Sequence, residues 1–171
     1  MNDEKRHFFR AATEYYISAR FGIYNGLGHV AANQLHHAVE QYCKGVLSAT
    51  MTLANLKQLG HRLPTIWAAV KSLAADPTLN RFDAAIGDLD KFERVRYPDE
   101  IIKLGAIFDI APGRDAPVPP QFVGATAPPV YALRLGPIDD LVDEIFRIAQ
   151  INRDAVVAGH TRDAAVYLTR Q

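Results

Sequence analysis

DEKRHFFRAATEYYISARFGIY (Asp3–Tyr24), NGLG (25–28) and HVAANQLHHAVEQYCKGVLSATM (29–51) are the runs whose reading decides the fold. In the first, Phe9, Ala12, Tyr16, Ala19 and Ile23 recur every three or four positions, the spacing that gathers apolar side chains on one face of a helix. Gly26 and Gly28 interrupt the pattern. In the third run Ala31, Leu35, Ala38, Tyr42 and Val46 make a second stripe, which predicts a helix over about 29–51. Two amphipathic helices with glycines between them predict an antiparallel αα-hairpin. Tyr15 and Tyr16 fall on the surface and the core of the first helix, respectively.

Working outward, Lys57-Gln58-Leu59-Gly60 is read as a connection, and Pro64 suits the first turn of a third helix, where its missing N–H costs nothing. That helix carries Ile66, Ala69, Val70 and Leu73 and stops before Pro77. A fourth is expected from Asn80, with Asp83 three residues on, burying Phe82, Ala85, Ile86, Leu89 and Phe92. The stretch 98–137 holds eight of the ten prolines, which bars long regular elements from much of it; a short helix over 100–108 is the one element expected there. The last helix is expected from Pro137, with Ile138, Leu141, Val142, Ile145 and Ile148 inside, continuing to about Ala158 before Gly159. No alternating apolar run argues for a sheet. The expectation is all-α: an up-and-down antiparallel bundle of four to five helices. In domain terms it occupies 1–160, with 97–137 as a Pro-rich loop insertion and 161–171 as a C-terminal tail.

Composition narrows the function classes. Lys+Arg and Asp+Glu are 19 each, so no broad field captures polyanions and any nucleic-acid contact needs a local patch. One cysteine, Cys43, excludes an internal disulfide and a Cys-based zinc site. The start, MNDEKRHFF, lacks a signal-peptide pattern, and no stretch nears the roughly 18 apolar residues of a membrane span. A soluble, cytoplasmic protein is expected. His29 and His36 are two helical turns apart, about 10 Å, and His36 and His37 point about 100° apart; no metal or cofactor is expected. Walker, dinucleotide and nucleophile-elbow motifs are missing.

Several segments together resemble the HEPN domain, a small helical family. His37-Ala38-Val39-Glu40-Gln41-Tyr42-Cys43-Lys44-Gly45-Val46-Leu47 is similar to the family's qAvEkalKall helix, with Glu40 and Lys44 at its acidic and basic positions. Gly60-His61-Arg62-Leu63 resembles the gHdl that opens the family's third helix, with Arg62 in place of the usual acid. Glu93-Arg94-Val95-Arg96-Tyr97-Pro98-Asp99 closes the fourth helix like the family's RYPd, and 131–158 matches its final helix in pattern. The resemblance covers roughly residues 8–158. It implies a homodimer with a cleft between protomers. Many members are metal-independent endoribonucleases, often toxins paired with a nucleotidyltransferase antitoxin; others lack the catalytic motif and bind nucleotide or RNA. The RNase members carry Arg, four to six residues, then His.

RNA cleavage of this kind needs a base for the 2′-OH proton and a cation for the phosphate, which His and Arg supply. After Arg96 there is no histidine at the family spacing; Asp99 or Glu100 as base would repel the phosphate. Arg153 and His160 do have that spacing, on the last helix, and form the catalytic candidate of an RNase reading. At Arg96-Tyr97-Pro98, Pro98 forces Tyr97 out of helical conformation. Arg96 then either pairs with a bundle carboxylate, Glu40 being a candidate, or holds phosphate while Tyr97 stacks on a base. Glu40 and Lys44 read as an i,i+4 surface pair, with Lys44 a phosphate ligand if it faces the cleft. His61 is read as a capping or core-edge hydrogen-bonding group, and Arg62 as an addition to an anion site at that helix N-terminus.

Three functions follow as expectations. The first is a HEPN-type module binding nucleotide or RNA at a dimer cleft through Arg96, Tyr97, Lys44, His61 and Arg62, without a complete RNase site. The second is an RNase toxin of a toxin–antitoxin pair. The third is an interaction module docking a partner through the loop 111–130.

Overall fold

Gly22 and Gly45 set how the first two helices, α1 (Asp3–Tyr24) and α2 (Gly28–Leu47), lie together. A Cβ on Gly22 would stand 2.9 Å from that of Ala31, and one on Gly45 2.8 Å from the Phe9 ring. Between these points the Thr13 and Tyr42 hydroxyls meet at 2.9 Å. The partners 22–31, 13–42 and 9–45 run in opposite directions along the chain, so the pair is the antiparallel hairpin expected. The turn between them uses Gly26 at φ 76°, a left-handed value that glycine adopts freely.

The computed structural model describes residues 3–94, 99, 102–103, 105–113, 128–157, 159–160 and 166–167. Beyond the hairpin come α3 (Leu53–Gln58), α4 (Leu63–Ala74), a 3-10 turn (Pro77–Phe82), α5 (Asp83–Arg94), strands β1 (Ile107–Ala111) and β2 (Val130–Arg134), α6 (Leu135–Ala149) and α7 (Arg153–Val157). The fold is the expected all-α bundle with one small sheet added. α2 is its axis, packing against α1, α4, α5, α6 and β1. Its stripe of Ala31, Leu35, Ala38, Tyr42 and Val46 is buried, as is that of α1. Edge-to-face contacts at 5.2–5.3 Å join Phe9, Tyr42 and Phe146 where α1, α2 and α6 meet. Among the described residues no helix is long and apolar enough to cross a membrane.

Several local expectations change. α2 ends at Leu47 rather than Met51, and the Ser48 hydroxyl bonds the Gly45 carbonyl. Part of the supposed connection at 57–60 is the end of α3, whose N-cap Thr52 accepts from the Asn55 N–H. The fourth helix is not capped by Asn80: Asp76 caps a 3-10 turn before it, and Asp83 instead accepts from the Trp67 indole at 2.9 Å and from Lys71. Leu73 is exposed rather than buried.

The Pro-rich stretch contains a sheet where none was expected. β1 and β2 pair in parallel, Ile107 opposite Val130 through Ala111 opposite Arg134, so Ile107 and Phe108 do not end a helix. Phe108 stacks on Tyr131 at 5.4 Å and lies 4.6 Å from the His29 ring, which seats the sheet on the start of α2. The Arg134 guanidinium ties the strands by donating to the carbonyl and carboxylate of Asp109 at 2.7 and 2.5 Å. α6 starts two residues before Pro137 and stops at Ala149, short of the expected Ala158, which lies outside the described residues. Gln150 takes a left-handed φ of 55°. Its N–H bonds Arg147 and that of Ile151 bonds Phe146, the Schellman arrangement that closes a helix.

Candidate functional site

Glu40 is the centre of a charged network inside the bundle. It follows His36 by one turn of α2 and precedes Lys44 by one turn, so all three share a face. That face is turned inward: Glu40 is 1% exposed and Lys44 8%, which corrects the expectation of a surface pair. Lys44 Nζ donates to Glu40 Oε1 at 2.7 Å and to the Gly60 carbonyl at 2.8 Å. From the loop before α4, His61 Nδ1 lies 3.1 Å from both Glu40 oxygens. His37 Nδ1 and His36 Nε2 stand 3.7 and 3.8 Å from Oε2.

Burial alone would push the Glu40 carboxyl up. Hydrogen bonds from His37, Lys44 and His61, with the Lys44 charge, outweigh it and hold the group at about 2 against an ordinary 4.5. Glu40 is therefore a permanent buried anion at neutral pH, matched by a buried ammonium. His36 is fully buried, and burial pushes its imidazole below the ordinary value, against the pull of the Leu89 carbonyl and of Glu93 and Glu40. Its Nδ1 lies 3.3 Å from the Leu89 carbonyl and its Nε2 3.1 Å from that of His61. One ring thus joins α2 to α5 and to the segment opening α4, and a neutral ring has one N–H for the two carbonyls.

The predicted ligand residues divide. His61 joins Glu40 as a core-edge hydrogen-bonding group while its side chain stays 60% exposed. Arg62 is exposed at the N-cap of α4. The helix start itself is occupied: the Leu63 N–H bonds the Asp90 carboxylate at 2.9 Å and Pro64 has none. Lys44 is committed to Glu40 and Gly60 inside the bundle. Arg96 and Tyr97 lie outside the described residues, as do Glu100, 114–127 of the loop and most of the tail after His160; Asp99 is exposed.

Arg153 and His160 serve different neighbours. Arg153 starts α7 and its guanidinium pairs with Asp143 of α6. His160 lines a cavity of about 340 Å³ with Arg6, Phe9 and Arg10 of α1 and Ala155 and Val156 of α7. Among the described residues no three of His, Cys, Asp and Glu gather as a metal would require.

Sequence reasoning did not assign His36 a place in the network, nor Arg6 and Arg10 one beside His160. The first had a signal, the i,i+4,i+8 series His36, Glu40, Lys44. The second had none, because the cavity joins chain segments about 150 residues apart. The fold and network define a helical bundle with a polar centre. Comparison with protein-family models, curated proteins and solved structures finds no match for this chain.

Proposed function

We propose that this chain is a HEPN-type module that binds nucleotide or RNA as a homodimer, without a complete RNase site. The observation that supports this reading is His61: its Nδ1 is held by buried Glu40 while most of its ring stays exposed, beside exposed Arg62. A carboxylate bound to Nδ1–H fixes the tautomer and orientation of the ring, leaving Nε2 as an acceptor for a ribose hydroxyl or a base N–H, with phosphate left to the arginines. Arg96 and Tyr97 belong to the same proposal. They follow α5, whose Glu93 carboxylate lies 3.8 Å from His36 in this network. Arg supplies a planar cation for phosphate and Tyr a stacking face.

Calorimetry at low salt with nucleotides and short single-stranded RNA tests it. Binding that weakens with added salt, and about tenfold on Arg62→Ala or Arg96→Ala, is expected from loss of a charge-assisted hydrogen bond. No heat with any of these ligands would sink the reading.

A further inference from the structure

We propose that the cavity between α1 and α7 is a second site, one that binds a small phosphate monoester through Arg6, Arg10 and His160. Arg6 and Arg10 are one turn apart on α1, about 6 Å along its axis, so both side chains leave from the same face. They line the cavity together with Gly159 and His160 and with the apolar side chains of Phe9, Ala155 and Val156. Two guanidinium forks and an imidazole N–H can meet the three terminal oxygens of a monoester dianion.

Among the described residues no carboxylate lines the cavity. Its arginines pair, among the described residues, with Asp3, 3.7 Å from Arg6, and Glu14, 3.3 Å from Arg10, and these pairs are exposed. Such pairs are worth little in water and yield readily to a better placed anion. The two cavities along α6 are of a different kind. One sets Arg81 and Arg147 among Asp140, Asp143 and Glu144, and Glu144 binds both arginines. The other offers Arg81 again, with Asp88, and Arg134, which Asp109 already holds. At zero net charge overall, a pocket lined by two arginines and, among the described residues, no acid is a local feature, and about 340 Å³ is room for a small ligand. The site shares no residue with the Glu40 network and stands or falls apart from it.

The test is titration of the full chain with AMP, ribose 5-phosphate and adenosine, followed by calorimetry and amide NMR shifts. Both phosphate esters are expected to bind and adenosine not to. Arg6→Glu and Arg10→Glu should each weaken ribose 5-phosphate binding at least tenfold with the circular dichroism unchanged, whereas Lys57→Ala, at an exposed basic residue outside both sites, should leave it within twofold. AMP tenfold tighter than ribose 5-phosphate supports the site with a nucleotide as ligand; equal affinities support it for phosphate monoesters in general. Adenosine binding as tightly as AMP, no binding of either ester, or ribose 5-phosphate binding kept in Arg10→Glu would overturn it.

Discussion

Around Glu40, an ammonium and three imidazoles converge on one carboxylate inside the bundle; between α1 and α7, two guanidiniums and an imidazole line a cavity that has no carboxylate on its wall among the described residues. Residue types are nearly the same in the two places, yet their roles differ. In the first, positive charge is taken up by a buried anion, and Lys44 spends its donors on Glu40 and Gly60. In the second, the cations face solvent and their local acids are exposed. A cluster of basic side chains is thus a structural element or a candidate site depending on where its counter-charge lies.

The comparison breaks most visibly at Lys44. Lys44→Met leaves Glu40 buried without its ammonium and should cost about 3–5 kcal/mol in urea unfolding. Adding Glu40→Gln to that variant should restore much of the loss, and a double variant no more stable than the single one would show that the pair is not coupled. Acid should act next. The folded-state value of Glu40, about 2, lies below its ordinary 4.5, so its stabilisation is complete above pH 4.5 and is lost as pH falls from there toward 2, about 3 kcal/mol in all. His36, held below its ordinary 6.5, begins its own loss earlier, as pH falls below 6.5, because the unfolded chain takes up that proton first. Urea midpoints across pH 7 to 3 should therefore fall in two stages, the lower one flattened in Glu40→Gln.

Two glycines sharpen the contrast between filled and open space. Gly45→Ala places a methyl within 2.8 Å of the Phe9 ring and should destabilise by about 1–3 kcal/mol. Gly87→Ala in α5 meets nothing within 4 Å and should stabilise by about 0.4–1 kcal/mol; thermal melts read both. Smallest is the effect on stability at the open cluster. Arg6→Ala and Arg10→Ala should stay within about 0.5 kcal/mol of the parent in the same melts. A larger loss would make these arginines structural after all.

The helices of the bundle were legible because their signal is local. The α1 and α2 stripes, the glycine break between them and Pro64 at the start of α4 are read within a turn or two of chain, and each stands in the structure where the spacing puts it. The failures are also physical. The end of α6 rests on Gln150 in a left-handed conformation, and a glutamine carries no mark of that. β1 and β2 are five residues each and pair across 18 intervening residues, so neither has enough alternation to announce a sheet. At the candidate site, the sequence read His61 as a core-edge hydrogen-bonding group and gave Lys44 both a pairing and a phosphate role; burial decides for the pairing.

By itself, then, the sequence determined the class of fold and the axis on which it is built, because helical periodicity is written in neighbouring residues. Only the tertiary structure decided which charges cancel and which remain open. Whether Lys44 meets water or Glu40, and whether Arg10 stands beside His160, depends on segments far apart in the chain. Electrostatic strength depends on burial and distance, which no local pattern records.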